Sequence, residues 1–527
     1  MKNNILHTLR QVSTWLIIVV IVSLLSSVGV FAQTDRPPNP ATDPDRIEAG
    51  TIQFLPLVSR GSVQISIPNP FFGVEMSSEM TNSNLGGPVD LSSRMGAGII
   101  RTNGLLWSTV EPNPGDRFWD PEIDQRILSA RKYNLSTILI IRSTPTWAQK
   151  AGNFCGPIAA DALDDFANFM KDVVARYSGS PYYVTYYELW NEPDVDAAAF
   201  AAGVDSPFGC WGDTGDTNYG GGYYATMLSY VYPAIKQANP NAQVLVGGLL
   251  LDCNPYVAPP PGKTNCNAGR FLEGILAGGG GNYFDGVSYH AYEYFTKPAD
   301  MNISINGLGV YANPNWFSSW NTTGPVLIAK TNFVKDVLNK YGFGNKYLVN
   351  SEVGLLCGGD GDDLWCNPAY NTSLAFQNTK AYYVVQSYAA AFWSKIKMNV
   401  WFSFLGWRDS GLYNSILLKP EVAYNAYKFL HQEISSATGS ISLAPAAGVK
   451  GYEFTKTGKR VWILWYVGGD PNNGNLTTNV NLGSTPQSVW RWVNAGSGTA
   501  NDGTYQPATA SQILAIGRAP VIIELNP

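Results

Sequence analysis

Histidine is almost missing from this chain, with three in 527 residues. His7 lies near the N-terminus, so only His290 and His431 serve the body of the protein, which argues against a multi-histidine zinc site. Charge is scarce too. Charged residues make up 14% of the chain, where about a quarter is usual, and the net charge of −5 comes without any basic run. That balance argues against a nucleic-acid partner. No G-x-S-x-G elbow occurs, which argues against a serine hydrolase of that type. The six cysteines include no C-x-x-C pair, so neither zinc nor redox chemistry is suggested, and the sequence calls for no metal and no cofactor.

What is present begins with a targeting segment. Lys2 and Arg10 are followed by an apolar run from Trp15 to Leu25, and Val30-Phe31-Ala32 resembles a small-residue cleavage site. Residues 1–32 are expected to be a signal peptide, which leaves a secreted, extracellular protein with no membrane contact. An uncleaved N-terminal anchor is the alternative, and it also puts the body outside the cytoplasm. Six cysteines suit that compartment. They allow 15 pairings. Nearness favours Cys253–Cys266 and Cys357–Cys366, leaving Cys155–Cys210. Residues 33–68, rich in Pro, Asp and Thr, read as an extended linker.

From residue 69 to 436 strand and helix patterns alternate. Strands are expected over residues 71–76, 97–103, 136–143, 183–190, 243–249, 284–290, 346–352 and 398–404, each followed by a helical pattern. One such helix carries Phe166, Phe169, Met170, Val173 and Val174 on a single face, which reads as core. Eight strand–helix units predict an α/β fold, a (β/α)8 TIM barrel. Residues 437–527 change to short alternating segments such as Val461-Trp462-Ile463-Leu464-Trp465-Tyr466. They predict a C-terminal antiparallel β-sandwich, read as a packing domain that covers the barrel, with sugar binding as its alternative role.

Two of the barrel strands end in a glutamate. Tyr186-Tyr187-Glu188-Leu189-Trp190-Asn191-Glu192-Pro193 delivers Glu192 at the carboxyl end of the fourth strand. Lys346-Tyr347-Leu348-Val349-Asn350-Ser351-Glu352 delivers Glu352 at the end of the seventh. Active sites of such barrels lie at the carboxyl ends of the strands. Two carboxylates facing each other there are the parts needed to cleave a glycosidic bond. The chain's 16 Trp and 29 Tyr mostly serve the core, yet such an excess also suits a surface that stacks on sugar rings.

Asn191-Glu192-Pro193 resembles the acid/base motif of the clan A retaining glycoside hydrolases, near families 5 and 39, the cellulase-like and xylosidase-like members. Further segments agree in register: Arg101 ending strand two, Leu106-Trp107-Ser108-Thr109-Val110-Glu111-Pro112 after it, Thr144-Pro145-Thr146-Trp147 after strand three, Ser288-Tyr289-His290-Ala291-Tyr292 on strand six, and Val400-Trp401-Phe402 on strand eight. The resemblance covers roughly residues 70 to 435. It implies a carbohydrate substrate and β-glycoside hydrolysis by double displacement, with Glu352 as nucleophile and Glu192 as acid/base. It further implies that Arg101 and Tyr292 hold Glu352 ionised, that Asn191 binds the sugar 2-hydroxyl, that His290 orients the site, and that Trp401 forms the floor beneath the sugar, with Trp407 its rival. A non-catalytic carbohydrate-binding protein on the same scaffold is the alternative. Glu75, Glu111, Glu188 and Glu293 read as structural, although Glu75 ends strand one, where it can line the cleft. Asp360-Gly361-Asp362-Asp363 lacks the spacing of a calcium loop and reads as solvated. All six cysteines fall in loops after strands, so the disulfides are expected to brace the cleft.

Overall fold

The computed structural model describes residues 70–527, except 201–202, 204–205, 260–263, 296–319, 321–324, 358–371, 416, 468–476 and 497–501. The expected signal peptide, the linker, Cys366 and the Asp360–Asp363 loop lie outside the described residues. No helix among the described residues is long and apolar enough to cross a membrane.

Eight parallel strands close into a barrel in sequence order. They are β1 (Phe72–Glu75), β2 (Ile99–Leu106), β3 (Ser136–Arg142), β4 (Tyr186–Asn191), β5 (Gln243–Leu249), β6 (Gly286–Phe295), β7 (Tyr347–Cys357) and β8 (Met398–Trp401). β1 pairs with β8, which completes the ring. The strands are mostly Val, Ile, Leu and aromatic residues because both faces are covered. Inside the barrel, Ile99, Ile138, Leu245, Val349, Met398 and Val400 form one apolar layer.

Local signals set the helices. Pro121–Lys132 starts with Pro121 in its first turn, and the Asp120 side chain accepts from the Glu122 N–H, which satisfies one of the free donors of a helix start. Leu163–Tyr177 buries Phe166, Phe169, Met170, Val173 and Val174, the face foreseen from their spacing. Full burial of such side chains contributes about 1.5–3 kcal/mol each.

After the last barrel helix (Val422–Ile434), six antiparallel strands form a sheet: β9 (Gly439–Leu443), β10 (Val449–Lys456), β11 (Lys459–Tyr466), β16 (Val521–Leu525), β13 (Ser488–Val493) and β14 (Thr504–Ala508), in that order. A two-stranded pair, β12 (Thr478–Asn481) with β15 (Ile513–Ile516), forms the second layer. Strand alternation divides the large sheet between two cores. Val449, Leu464, Val489 and Ile523 meet the β12–β15 pair. Tyr452, Phe454, Ile463, Trp492 and Tyr505 join the main barrel core. Phe429 stacks on Tyr505 at 4.7 Å, and Phe392 meets Phe454 edge-on at 5.4 Å. These aromatic side chains of the C-terminal sheet are therefore occupied by the barrel helices.

Candidate active site

Alternation along β2 turns Arg101 to the barrel interior, two residues beyond the inward Ile99. A guanidinium stays charged in any protein environment. Arg101 is fully buried, so it needs anionic or polar partners on every side. Nη1 donates to Glu75 Oε2 and to Glu352 Oε1, each at 2.5 Å. Nε and Nη2 donate to Glu188 Oε1 at 3.1 and 2.6 Å, and Nη2 also reaches Asn191 Oδ1 at 2.7 Å. One cation thus gathers side chains from β1, β4 and β7.

Two breaks in strand regularity bring the remaining groups inward. At the end of β4, Trp190 has φ 69° and Glu192 has φ 48°. Left-handed backbone at such residues costs about 1–3 kcal/mol each and gathers at working sites. Here it breaks the alternation. Trp190 turns outward against Phe166 (5.5 Å) and Trp211 (5.0 Å), while the consecutive Asn191 and Glu192 both serve the site. On β7 the ladder skips Ser351: Tyr289 faces Asn350, but His290 faces Glu352. Strict alternation from the inward Val349 would turn Glu352 away; the extra residue resets it.

His290 stands between the two glutamates. Its Nδ1 lies 2.8 Å from Glu192 Oε1 and 3.4 Å from Glu352 Oε2. One oxygen of each glutamate and one nitrogen of this histidine lie within 4.8 Å of one another. Tyr292 donates its hydroxyl to Glu352 Oε2. Glu192 Oε2 has no hydrogen-bond partner among the described residues.

The surroundings separate the protons. Burial raises the Glu192 carboxyl well above its usual range, and the charge of Glu352 raises it further. Burial also raises Glu352, but there the Arg101 charge and the Tyr292 hydrogen bond pull the other way. Of the two, Glu192 therefore holds the proton and Glu352 the charge. Burial, with the positive charges of Arg101 and Lys330, lowers His290 well below its usual range and keeps it neutral. Glu75 is raised well above its usual range, first by burial. Glu192, His290 and Glu352 are of the donor types that bind a divalent cation. The Arg101 guanidinium already meets the Glu352 charge.

Six residues singled out from sequence come together here: Arg101, Asn191, Glu192, His290, Tyr292 and Glu352. Trp401 does not join them. It is fully buried on the outer side of β8, against the Tyr383 ring (6.1 Å), with Nε1 donating to the Ser410 carbonyl at 2.9 Å. Alternation explains the difference. Val400 faces inward, so Trp401 faces out and Phe402 returns to the site, edge-on to Tyr292 at 5.6 Å. Trp407 is 45% exposed on the loop that follows β8. Glu188, structural by its sequence position, and Glu75, structural or cleft-lining, both bind the guanidinium that holds Glu352. Their inward register with Arg101 was the available signal.

The loops around the mouth are cross-linked. Cys155 bonds Cys210, joining the loops after β3 and β4, and Cys253 bonds Cys266 within the loop after β5. Cys357 is also disulfide-bonded, to a partner outside the described residues.

No protein-family model matches the sequence, and no curated protein matches it. Solved structures do. A family 39 glycoside hydrolase from the gut symbiont Bacteroides cellulosilyticus WH2 is 18% identical, with 88% of this chain and 82% of that one aligned at a TM-score of 0.61. A family 51 α-L-arabinofuranosidase from Bifidobacterium longum is 12% identical over 88% of this chain and 96% of that one, at 0.55. A monomeric β-xylosidase from Caulobacter crescentus CB15 is 14% identical over 88% and 97%, at 0.53. The chain thus shares the (β/α)8 fold of clan A glycoside hydrolases, and at these identities the likeness is one of fold.

Proposed function

We propose that this protein is a retaining glycoside hydrolase acting on β-glycosides, with Glu352 as nucleophile and Glu192 as acid/base. The observation that carries the reading is the close approach of the two carboxyl groups, with oxygens within 4.8 Å. Retaining enzymes hold theirs about 5–5.5 Å apart, whereas inverting enzymes leave about 6.5–9.5 Å for a water. The unequal proton affinities support the same roles.

In the first step a Glu352 carboxylate oxygen bonds to the anomeric carbon as the glycosidic carbon–oxygen bond breaks, and Glu192 gives its proton to the leaving oxygen. Glu352 is then an uncharged ester. The charge that held the Glu192 proton is gone, so Glu192 is left as the carboxylate. In the second step water attacks the anomeric carbon, Glu192 takes its proton, and Glu352 leaves as carboxylate. Arg101 keeps the nucleophile charged and aimed, and the neutral His290 shares a hydrogen bond with Glu192 through Nδ1. Asn191, whose Oδ1 accepts from Arg101, would bind the sugar 2-hydroxyl.

The disulfides support work in an oxidising compartment outside the cytoplasm, in line with the targeting segment expected over residues 1–32. The test is hydrolysis of a panel of aryl β-glycosides and polysaccharides by wild type and Glu352→Ala, with and without azide. Wild-type turnover, lost in the variant and partly restored by azide with a glycosyl azide of inverted configuration, is expected. Sugar binding without turnover would instead favour a carbohydrate-binding protein on this scaffold.

A further inference from the structure

Lys330 is a buried cation with no part in the steps above. It sits on the helix Leu327–Lys340, between β6 and β7, and is only 5% exposed. Burying an ammonium group is costly, and an apolar side chain of similar length would fill the same space at less cost. Its contacts show what the charged group does there. Nζ donates to the Leu250 carbonyl at 2.7 Å and to the His290 carbonyl at 2.8 Å.

Those two carbonyls mark the place where β5 and β6 part. The ladder between the strands ends at Leu249 and Tyr289, while β6 continues beside β7 as far as Phe295. The next two N–H groups of the β5 chain, those of Leu250 and Leu251, turn to the Asp194 carboxylate instead, each at 2.9 Å. Leu251 bends away with a left-handed φ of 48°. The end of β5 is thus drawn to the loop after β4, and Lys330 bridges it back to β6. Burial raises the pKa of the Asp194 and Glu293 carboxyls, and the Lys330 charge pulls both back, so the ammonium stands among buried acids.

The bridge closes a circuit around Glu192. The Glu192 N–H donates to the Gly248 carbonyl of β5 at 2.9 Å. Lys330 joins the end of β5 to the His290 carbonyl, and the His290 imidazole returns to Glu192 Oε1 through Nδ1 at 2.8 Å. Main chain and carboxyl of Glu192 are therefore held to one frame. A shift of the His290 peptide would move the imidazole, and with it the partner of the Glu192 carboxyl. We propose that Lys330 is a positioning residue for the acid/base: by tying the His290 peptide to the end of β5, it keeps the imidazole against Glu192 and the Glu192 carboxyl aimed at the leaving oxygen. The proposal rests on the glycosidase reading and adds to it a residue that acts through another.

The test uses two substrates with the glycone that the panel above identifies, a 2,4-dinitrophenyl and a phenyl β-glycoside. Dinitrophenolate leaves without a proton, whereas the phenyl glycoside needs the one from Glu192. A positioned general acid supplies roughly 10²–10⁴-fold, and part of that should go when its support goes. Lys330→Met is expected to lose about thirtyfold in kcat/KM on the phenyl glycoside and to stay within about threefold of wild type on the dinitrophenyl glycoside. Its kcat on the dinitrophenyl glycoside should fall, because the second step needs Glu192 as base, and azide, which needs no base, should restore it. Lys330→Gln, with a neutral donor on a shorter side chain, should show the same preference at about tenfold, and it carries the test if the methionine variant does not fold. Nitrogen-15 spectra of histidine-labelled protein should show the His290 Nδ1 signal displaced in either variant. Equal losses on both substrates, no loss on the phenyl glycoside, or an unmoved His290 signal would overturn the role of Lys330 and leave the glycosidase standing. A wild type inactive on every glycoside would overturn the glycosidase reading, and the role with it.

Discussion

Gly248 faces His290 so closely that a Cβ at position 248 would lie 2.1 Å from the imidazole Nε2. The same Cβ would lie 2.9 Å from the Oγ of Ser351, the residue that resets β7. Backbone and imidazole thus share one small space, and the ring position depends on the missing side chain. Gly248→Ala must push the ring toward the two glutamates or twist β5. Displacements of about 1 Å at a reacting centre can cost roughly a hundredfold. We expect kcat to fall by about that factor while far-ultraviolet circular dichroism stays unchanged. Kinetics within threefold of wild type would show that His290 does not need this seat.

The barrel was legible from sequence because every strand is a dense apolar run with a helix after it, and that pattern survives without any knowledge of contacts. The catalytic-face glutamates were legible for the same reason, as charges ending such runs. What sequence missed depends on small shifts of alternation. Trp401 and Phe402 are neighbours of similar character, and only the inward register of Val400 tells which of them meets Tyr292. Glu188 has the sequence signature of an ordinary strand residue, and only the two hydrogen bonds from Arg101 distinguish it. The left-handed turns at Trp190 and Glu192 have no signature at all, since neither residue type favours them.

Glu75 should keep its proton to higher pH than an ordinary carboxyl does. Burial and the charge of Glu352 both raise its pKa, outweighing Arg101. A raised carboxyl holds its proton in the folded state over a window where the unfolded chain has lost it. Stability therefore falls as pH rises from the ordinary carboxyl value through the folded one. Glu75→Gln copies the protonated form and removes this dependence. We expect the variant to match wild-type melting at pH 5 and to melt roughly 1–3 °C above it at pH 8. A variant less stable at pH 8 would mean that Glu75 is ionised.

Lys380 carries a charge where water does not reach, donating to the carbonyls of Asp409 at 2.8 Å and Gly411 at 2.7 Å. It thereby ties the loop after β8, whose Arg408 carbonyl also accepts from the Cys357 N–H. Burial brings its pKa down to about 8. Between that value and the usual lysine range the unfolded chain binds more protons, so this site's contribution to stability rises with pH there. Lys380→Met leaves two carbonyls unpaired and should cost about 1–3 kcal/mol at pH 7. The gap to wild type should widen between pH 8 and 10 in denaturant titrations. A gap that narrows would contradict a depressed lysine.

The Cys155–Cys210 bond closes a loop of 55 residues around the segment that holds Asn191. On chain-entropy grounds such a closure contributes roughly 4 kcal/mol. Replacing both cysteines with serine should lower the melting temperature and raise KM, because the Pro207 carbonyl is no longer fixed for the Asn191 amide. An unchanged KM in a folded but less stable variant would confine the bond to stability.

Glu192 gives the sharpest test of how the two carboxyl groups are coupled. Its proton is held by burial and by the negative charge of Glu352. Trapping the enzyme with a 2-deoxy-2-fluoro glycoside of the preferred sugar would esterify Glu352 and remove that charge while burial remained. The Glu192 pKa should then fall, by the same logic that lets it turn from acid to base within one cycle. Carbon-13 NMR of glutamate-labelled protein, titrated before and after trapping, would follow it directly. In the roles proposed above this ionisation would set the alkaline limb of kcat/KM, and Glu352→Gln, expected to be folded but inactive, should show the same downward shift. A Glu192 pKa that stays put in both would mean that burial alone holds the proton, and the switch between acid and base would need another source, with the Asp194 carboxyl, itself raised to about 6 by burial, the nearest group to examine.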